Sequence, residues 1–192
     1  MPIKGIKGGI GSKPLGYGLK VAEETPTDAE FNNTVLLLDG DGTNGGQNNT
    51  FVDSSSNDSS ITRVSTPTQG TFNPFLGVGQ YSNSFTAGGD RIFMGSSADF
   101  QFGTGDFTVE LFVNFTTAAN DKSMIDFRPT NGSYSDAFGF TITGTALKIF
   151  DTANKGLGGT LSVNTWHHIV LQRVSGGLYA HVDGTATGTT VS

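Results

Sequence analysis

Residues 164–184 read NTWHHIVLQRVSGGLYAHVDG, two apolar runs joined by Ser175-Gly176-Gly177. Val, Ile, Leu and Tyr fill both arms, and a Gly pair can take the positive backbone angles of a tight hairpin. In the second arm Leu178, Ala180 and Val182 alternate with Tyr179, His181 and Asp183, the period of a strand with one buried face. The only tryptophan, Trp166, stands at the start of the first arm and is predicted to plug one end of the core. These residues commit the chain to an antiparallel β-scaffold.

Residues 107–115 give the clearest alternation. Phe107, Val109, Leu111, Val113 and Phe115 share one face, and Thr108, Glu110, Phe112 and Asn114 the other. Phe112 therefore marks either a covered second face or a surface aromatic at a contact. Further short strands are predicted at 34–38, 61–64, 82–86, 91–94, 123–127, 137–143 and 146–150, each bounded by Gly, Asn, Asp or Pro. The segment Gly156-Leu157-Gly158-Gly159 reads as a turn. Phe100 and Phe102, in the loop before residue 107, are expected to fold back onto the core. With 28 glycines and a charged fraction of 15%, well under the usual quarter or so, the pattern is that of an all-β chain. It predicts an antiparallel β-sandwich of jelly-roll type.

Residues 1–33 differ from the rest. Four of the eleven Lys and Arg residues, Lys4, Lys7, Lys13 and Lys20, lie in the first twenty positions of a chain whose net charge is −6. Ile3, Ile6, Ile10, Leu15, Tyr17 and Leu19 are separated by Gly and Pro, a spacing that builds no core of its own. The expectation is an extended arm that docks on another protein, with Ile3, Lys4, Ile6, Lys7 and Tyr17 as anchors. One short helical turn is allowed near Thr25–Glu30. The acidic balance argues against nucleic acid as a partner, the chain has no cysteine for disulfides or thiolate metal sites, and no apolar run approaches the roughly 20 residues of a membrane span.

Three separated motifs go beyond fold class. Asn164-Thr165-Trp166-His167-His168-Ile169-Val170 with the later Val182-Asp183-Gly184, the stretch from Ser97 to Glu110 (SADFQFGTGDFTVE), and Leu36-Leu37-Leu38-Asp39-Gly40 with Asp53-Ser54-Ser55 resemble laminin-G-like domains of the concanavalin A-like lectin/glucanase superfamily. The resemblance runs from about Thr34 to Ser192. It implies a concanavalin A-like sandwich over 34–192 behind the arm of 1–33. A Gly-rich arm on a cysteine-free domain resembles bacteriophage tail and appendage proteins. Such domains usually continue past the Asp-Gly turn, so the sheet is expected to lack its last strand. Either the chain is part of a longer one, or a neighbour or the arm supplies the strand.

The superfamily hosts glycanases, which need two carboxylates within about 5 to 10 Å of each other. Glu occurs only at 23, 24, 30 and 110, and no acid flanks Glu110 on its strand, so Glu110 reads as a solvated residue or a partner for an arginine. His167 and His168 are adjacent on a strand and face opposite ways. His168 and His181 could meet across the hairpin, but no acidic third ligand for a metal is evident, and all three histidines read as packed, hydrogen-bonded rings. Asp39, Asp41 and Thr43 have the spacing of the first ligands of a calcium-binding loop, but Asn44 and Thr50 break the pattern. Neither a cofactor nor a metal is expected. Asn131, Tyr134 and Asp136 supply the aromatic ring and polar groups that sugar contacts require.

The function expected is that of a non-enzymatic virion component, a phage tail appendage or capsid-decorating protein held by its arm to other virion proteins. It is expected to be a homo-oligomer, assembled in the host cytoplasm and exposed outside the cell. The alternative is a carbohydrate-binding module for a host-surface glycan, and the third reading is a glycanase.

Overall fold

A computed structural model of the chain describes residues 30–38, 40, 50–71, 74, 81–127, 139–150 and 155–187. Among these described residues twelve strands follow in chain order: β1 (Ile61–Val64), β2 (Thr68–Gly70), β3 (Ser82–Ser84), β4 (Arg91–Met94), β5 (Phe107–Val113), β6 (Ala119–Asp126), β7 (Gly139–Gly144), β8 (Ala146–Phe150), β9 (Lys155–Thr160), β10 (His167–Val174), β11 (Gly177–Val182) and β12 (Thr185–Ala186). Among the described residues the only helical pieces are 3-10 turns at Phe31–Asn33 and Ala98–Phe100.

Two four-stranded antiparallel sheets form the body, ordered β12-β11-β10-β5 and β6-β7-β8-β9. Two small ribbons, β1-β4 and β2-β3, accompany them. The hairpin predicted from the sequence is present. Val174 pairs with Gly177, and Ser175 and Gly176 hold φ of 50° and 81°, the two-residue connection that matches strand twist. A second such turn, Asp183 (φ 51°) and Gly184 (φ 75°), joins β11 to β12 through the Val182–Thr185 pair.

Alternation along β5 and β10 decides which side is core. Val109, Ile169, Leu171 and Ala180 of the first sheet meet Phe140, Ile142, Leu147, Ile149 and Leu157 of the second, with Leu161 beside them. Each of these Val, Ile, Leu and Phe side chains contributes about 1.5–3 kcal/mol on burial. Phe107, Leu111, Val113 and Phe115 pack against this cluster as the alternation predicts. Trp166 does not plug the sandwich; it is half-buried and outside the cluster, whereas Leu161 is fully buried. Phe100 and Phe102 do fold inward. Phe100 stacks on Phe127 (5.6 Å), and Phe102 meets Phe107 (4.5 Å) and Phe127 (5.2 Å). Arg173 fastens the loop above them, donating to the carbonyls of Gly105 (2.6 Å) and Phe102 (2.7 Å) while its guanidinium covers Phe107.

Two local expectations are corrected. The Gly156–Gly159 segment is strand, because Gly158 and Gly159 (φ 72° and 77°) absorb a register shift between β8 and β9; such glycine-borne bulges keep a ladder going through residues that otherwise break it. A Cβ on Gly159 would stand 3.1 Å from Val182, so the bare backbone also lets β9 approach β11. Residues 34–38 form no strand. They are held by hydrogen bonds to the loop at 53–57: Leu37 N–H donates to Asp53 Oδ1 (2.9 Å), Ser54 N–H to Leu37 O (2.8 Å), and the Asn57 amide to Val35 O (3.2 Å). Buried Asp53 also accepts from the N–H groups of Ser55 and Ser59. Burial alone would raise its pKa, but these backbone donors outweigh that and hold the carboxyl far below the usual range.

Candidate binding face

β10 is flanked by β5 on one side and β11 on the other. His167, Ile169 and Leu171 are buried on its inner side, so its even-numbered residues, and their cross-strand partners, make the outer face. Register places Phe112 opposite His168, Glu110 and His181 on either side of Val170, and Thr108 and Tyr179 on either side of Gln172. The face is thus a grid of apolar and polar side chains on a flat, hydrogen-bonded backbone.

Its geometry is defined at one corner. The Phe112 and His168 rings stack with centroids 4.5 Å apart and planes 15° from parallel. His168 Nε2 lies 2.7 Å from Glu110 Oε1, so that nitrogen carries the proton and donates to the carboxylate. Phe112 remains 42% exposed in spite of the stack. At the far corner the Tyr179 ring lies over Gly177, where a Cβ would stand 2.7 Å from the phenol oxygen. Glycine at 177 is what lets that ring lie along the strand. Tyr179 is 43% exposed, and among the described residues Tyr179 Oη, the His181 ring and the Gln172 amide have no hydrogen-bond partner. Two aromatic groups with unengaged donors and acceptors between them form a surface suited to a ligand with one apolar and several polar edges.

Beneath the face, His167 is buried and engaged at both nitrogens. Ser162 N–H donates to Nε2 (2.8 Å), which leaves Nδ1 to carry the proton and donate to Asp183 Oδ2 (2.7 Å). Asp183 Oδ1 accepts from the His168 N–H (2.9 Å). These contacts, the His168 backbone donor first, lower the Asp183 pKa. Neutral His167, with its Nε2 lone pair occupied by a backbone donor, is a structural ring and has no free nitrogen for general-base work.

The structural role read for the histidines holds for His167. The Glu110 carboxylate is exposed, as one of its two readings had it, while the partner it meets is His168 where the other reading had an arginine. Acidic groups meet both His167 and His168, and counting back from the Ser175-Gly176 turn already sets Asp183 opposite His168. His168 and His181 do not converge on a metal, and among the described residues no group of three or more His, Cys, Asp or Glu side chains is placed to hold an ion. The sequence reading missed Tyr179 and the role of Gly177; their two-residue spacing on one strand face was the available clue. The arm residues Ile3, Lys4, Ile6, Lys7 and Tyr17, the loop residues Asn131, Tyr134 and Asp136, and the loop residues Asp39, Asp41 and Thr43 lie outside the described residues.

Residues 87–192 match the model of a family described as the concanavalin A-like lectin/glucanases superfamily. The chain belongs to this family. The match covers β4 to β12, and it gives the motifs a structural meaning within a concanavalin A-like domain. The Trp-His-His segment and the Asp-Gly turn are one hydrogen-bonded unit through Asp183, and Asp106 of the Gly-Asp-Phe motif accepts from Ser175 N–H at the hairpin turn (2.9 Å). No curated protein and no solved structure matches the chain. No helix among the described residues is long and apolar enough to cross a membrane.

Proposed function

We propose that this laminin-G-like domain is a non-catalytic carbohydrate-binding module whose ligand lies across the outer face of β5, β10 and β11. The observation that carries this reading is the exposed Phe112–His168 stack clamped by Glu110, with Tyr179 at the opposite corner of the same face. A pyranose ring offers an apolar face for an aromatic group and hydroxyls for a carboxylate, an imidazole and an amide. Binding is favoured over hydrolysis because both acids at this corner are already engaged, Glu110 by His168 Nε2 and Asp183 by the His167 ring and the His168 N–H; glycoside hydrolysis calls for two acids facing each other across a cleft. A glycan array with the purified protein tests the proposal. Signal on defined glycans is expected, with loss in Phe112→Ala at unchanged melting temperature; an array blank for the wild type would refute it.

The N-terminal sequence favours a second, compatible reading. The glycine-rich residues 1–33, whose first twenty carry four lysines and no acid, support an assembly arm that carries the sandwich on a virion, with homo-oligomers and other virion proteins as partners. Deleting residues 1–20 should abolish incorporation into particles while leaving the sandwich folded, and unchanged incorporation would remove the arm from the account.

A further inference from the structure

The corner of the outer face around Glu110 is one-sided in its chemistry. Glu110 Oε1 accepts from His168 Nε2 (2.7 Å), while Oε2 has no donor among the described residues, and the Glu110 side chain is 56% exposed. With its proton on Nε2, neutral His168 presents Nδ1 as a bare acceptor. The His168 N–H is already given to Asp183 Oδ1, and Asp183 Oδ2 to the His167 ring, so Asp183 adds negative charge and no donor. None of the outward positions that register sets on β5, β10 and β11 is Lys or Arg. Arg173 is committed to the carbonyls of Gly105 and Phe102. Among the described residues this corner therefore offers acceptors and negative charge, and no donor is left for a ligand.

We propose that the corner selects an ammonium group, so that the ligand is an amino sugar with a free amine in preference to its N-acetylated or acidic counterparts. The inference rests on the reading of this face as a glycan site and names the class of glycan. A hydroxyl brings one donor together with lone pairs that would meet only acceptors, whereas an ammonium brings three donors and no acceptor. Its charge also answers Glu110 Oε2. Phe112, 42% exposed, adds to the preference, because the negative face of an aromatic ring attracts a cation. N-acetylation removes the charge and sets a carbonyl oxygen where the corner has no donor; a uronate carboxylate is repelled outright. At the far corner the Gln172 amide and the Tyr179 hydroxyl each donate and accept, which suits sugar hydroxyls. The amine is thereby assigned to the Glu110 end of the grid.

A glycan array printed with matched amine, N-acetylated and uronate forms of the same hexose oligomers tests this, followed by titration calorimetry of the strongest set at pH 7. Wild type should bind the amine form about fivefold tighter than the acetylated form, the size of one exposed ion pair, and the uronate weakest. The ratio of amine to acetylated affinity should fall to near one in Glu110→Gln. It should also fall to near one for wild type in 1 M NaCl, where charges are screened beyond about 3 Å, a readout that needs no variant. Equal affinities in wild type, or a preference that survives Glu110→Gln or high salt, would overturn the ammonium assignment. In that case a loss of all binding in Phe112→Ala still upholds the glycan face. An array blank for every form would instead defeat the face itself, and the inference with it.

Discussion

His167 and His168 are consecutive in the chain and opposite in circumstance. The first is buried, and its two ring nitrogens are fixed by Ser162 and Asp183; the second stands on the outer face between Phe112 and Glu110. The same division runs along the whole of β10, where Ile169 and Leu171 are fully buried while Val170 and Gln172 are not. Strand period alone creates this contrast, and it lets one strand hold the sandwich together while leaving an exposed face for the proposed ligand. A side chain on the inner face should therefore matter to stability and its neighbour on the outer face to recognition.

The contrast breaks most visibly in the core. Leu171→Ala should cost about 2–5 kcal/mol in urea unfolding, against under about 0.5 kcal/mol for its neighbour Gln172→Ala. Equal costs would mean that the outer face is covered. Next in size is His167→Ala, which empties a buried ring site and removes the partners of the Ser162 N–H and of Asp183, and it should cost about 2 kcal/mol. His168→Ala, read in the same assay, should cost less than half as much and instead weaken glycan binding. A comparable loss in both would put His168 among the structural rings.

Acidity sharpens the comparison from the carboxylate side. Asp53, Asp90 and Asp183 all have pKa values lowered in the fold. Asp53 is lowered by its three backbone donors against the opposing effect of burial, Asp90 chiefly by the Ala87 N–H, and Asp183 chiefly by the His168 N–H. A carboxyl depressed in the folded state stabilises above its unfolded value of about 3.9 and loses that contribution as pH falls toward the folded value. The urea midpoint should therefore hold from pH 7 to about pH 5 and drop below about pH 4, with a shallower drop in Asp53→Asn. A midpoint unchanged between pH 6 and pH 3 would contradict the assignment. The smallest expected effect is at residue 134: Tyr134→Ala should leave glycan binding within about twofold of wild type, since the proposed contacts all come from the β5-β10-β11 grid. A loss larger than that of Phe112→Ala would move the site to Tyr134.

Alternation made much of the sandwich readable in advance. Phe107 to Phe115 and the 164–184 hairpin were legible because a strand with one buried face writes its period into the sequence. The strand at 155–160 was hidden because Gly158 and Gly159 signal a turn even when they form a bulge inside a ladder. Residues 34–38 are apolar enough for a strand, yet their backbone is held by Asp53 and Asn57, contacts distant in sequence that periodicity does not report. The binding face was half legible. Phe112 stood out as an aromatic on the wrong side of a strand, whereas its stack on His168 needs the β5–β10 register, which is set by long-range pairing. Tyr179 became informative only once Gly177 was seen beneath it.

Two-dimensional amide NMR of the labelled protein, titrated with the strongest array glycan, tests the central claim most directly. The account predicts shifts concentrated at Glu110, Phe112, His168, Val170, Tyr179 and His181, with inner-face Ile169 and Leu171 moving less than their neighbours. Shifts confined to other surfaces, with those six residues unmoved at saturation, would contradict it.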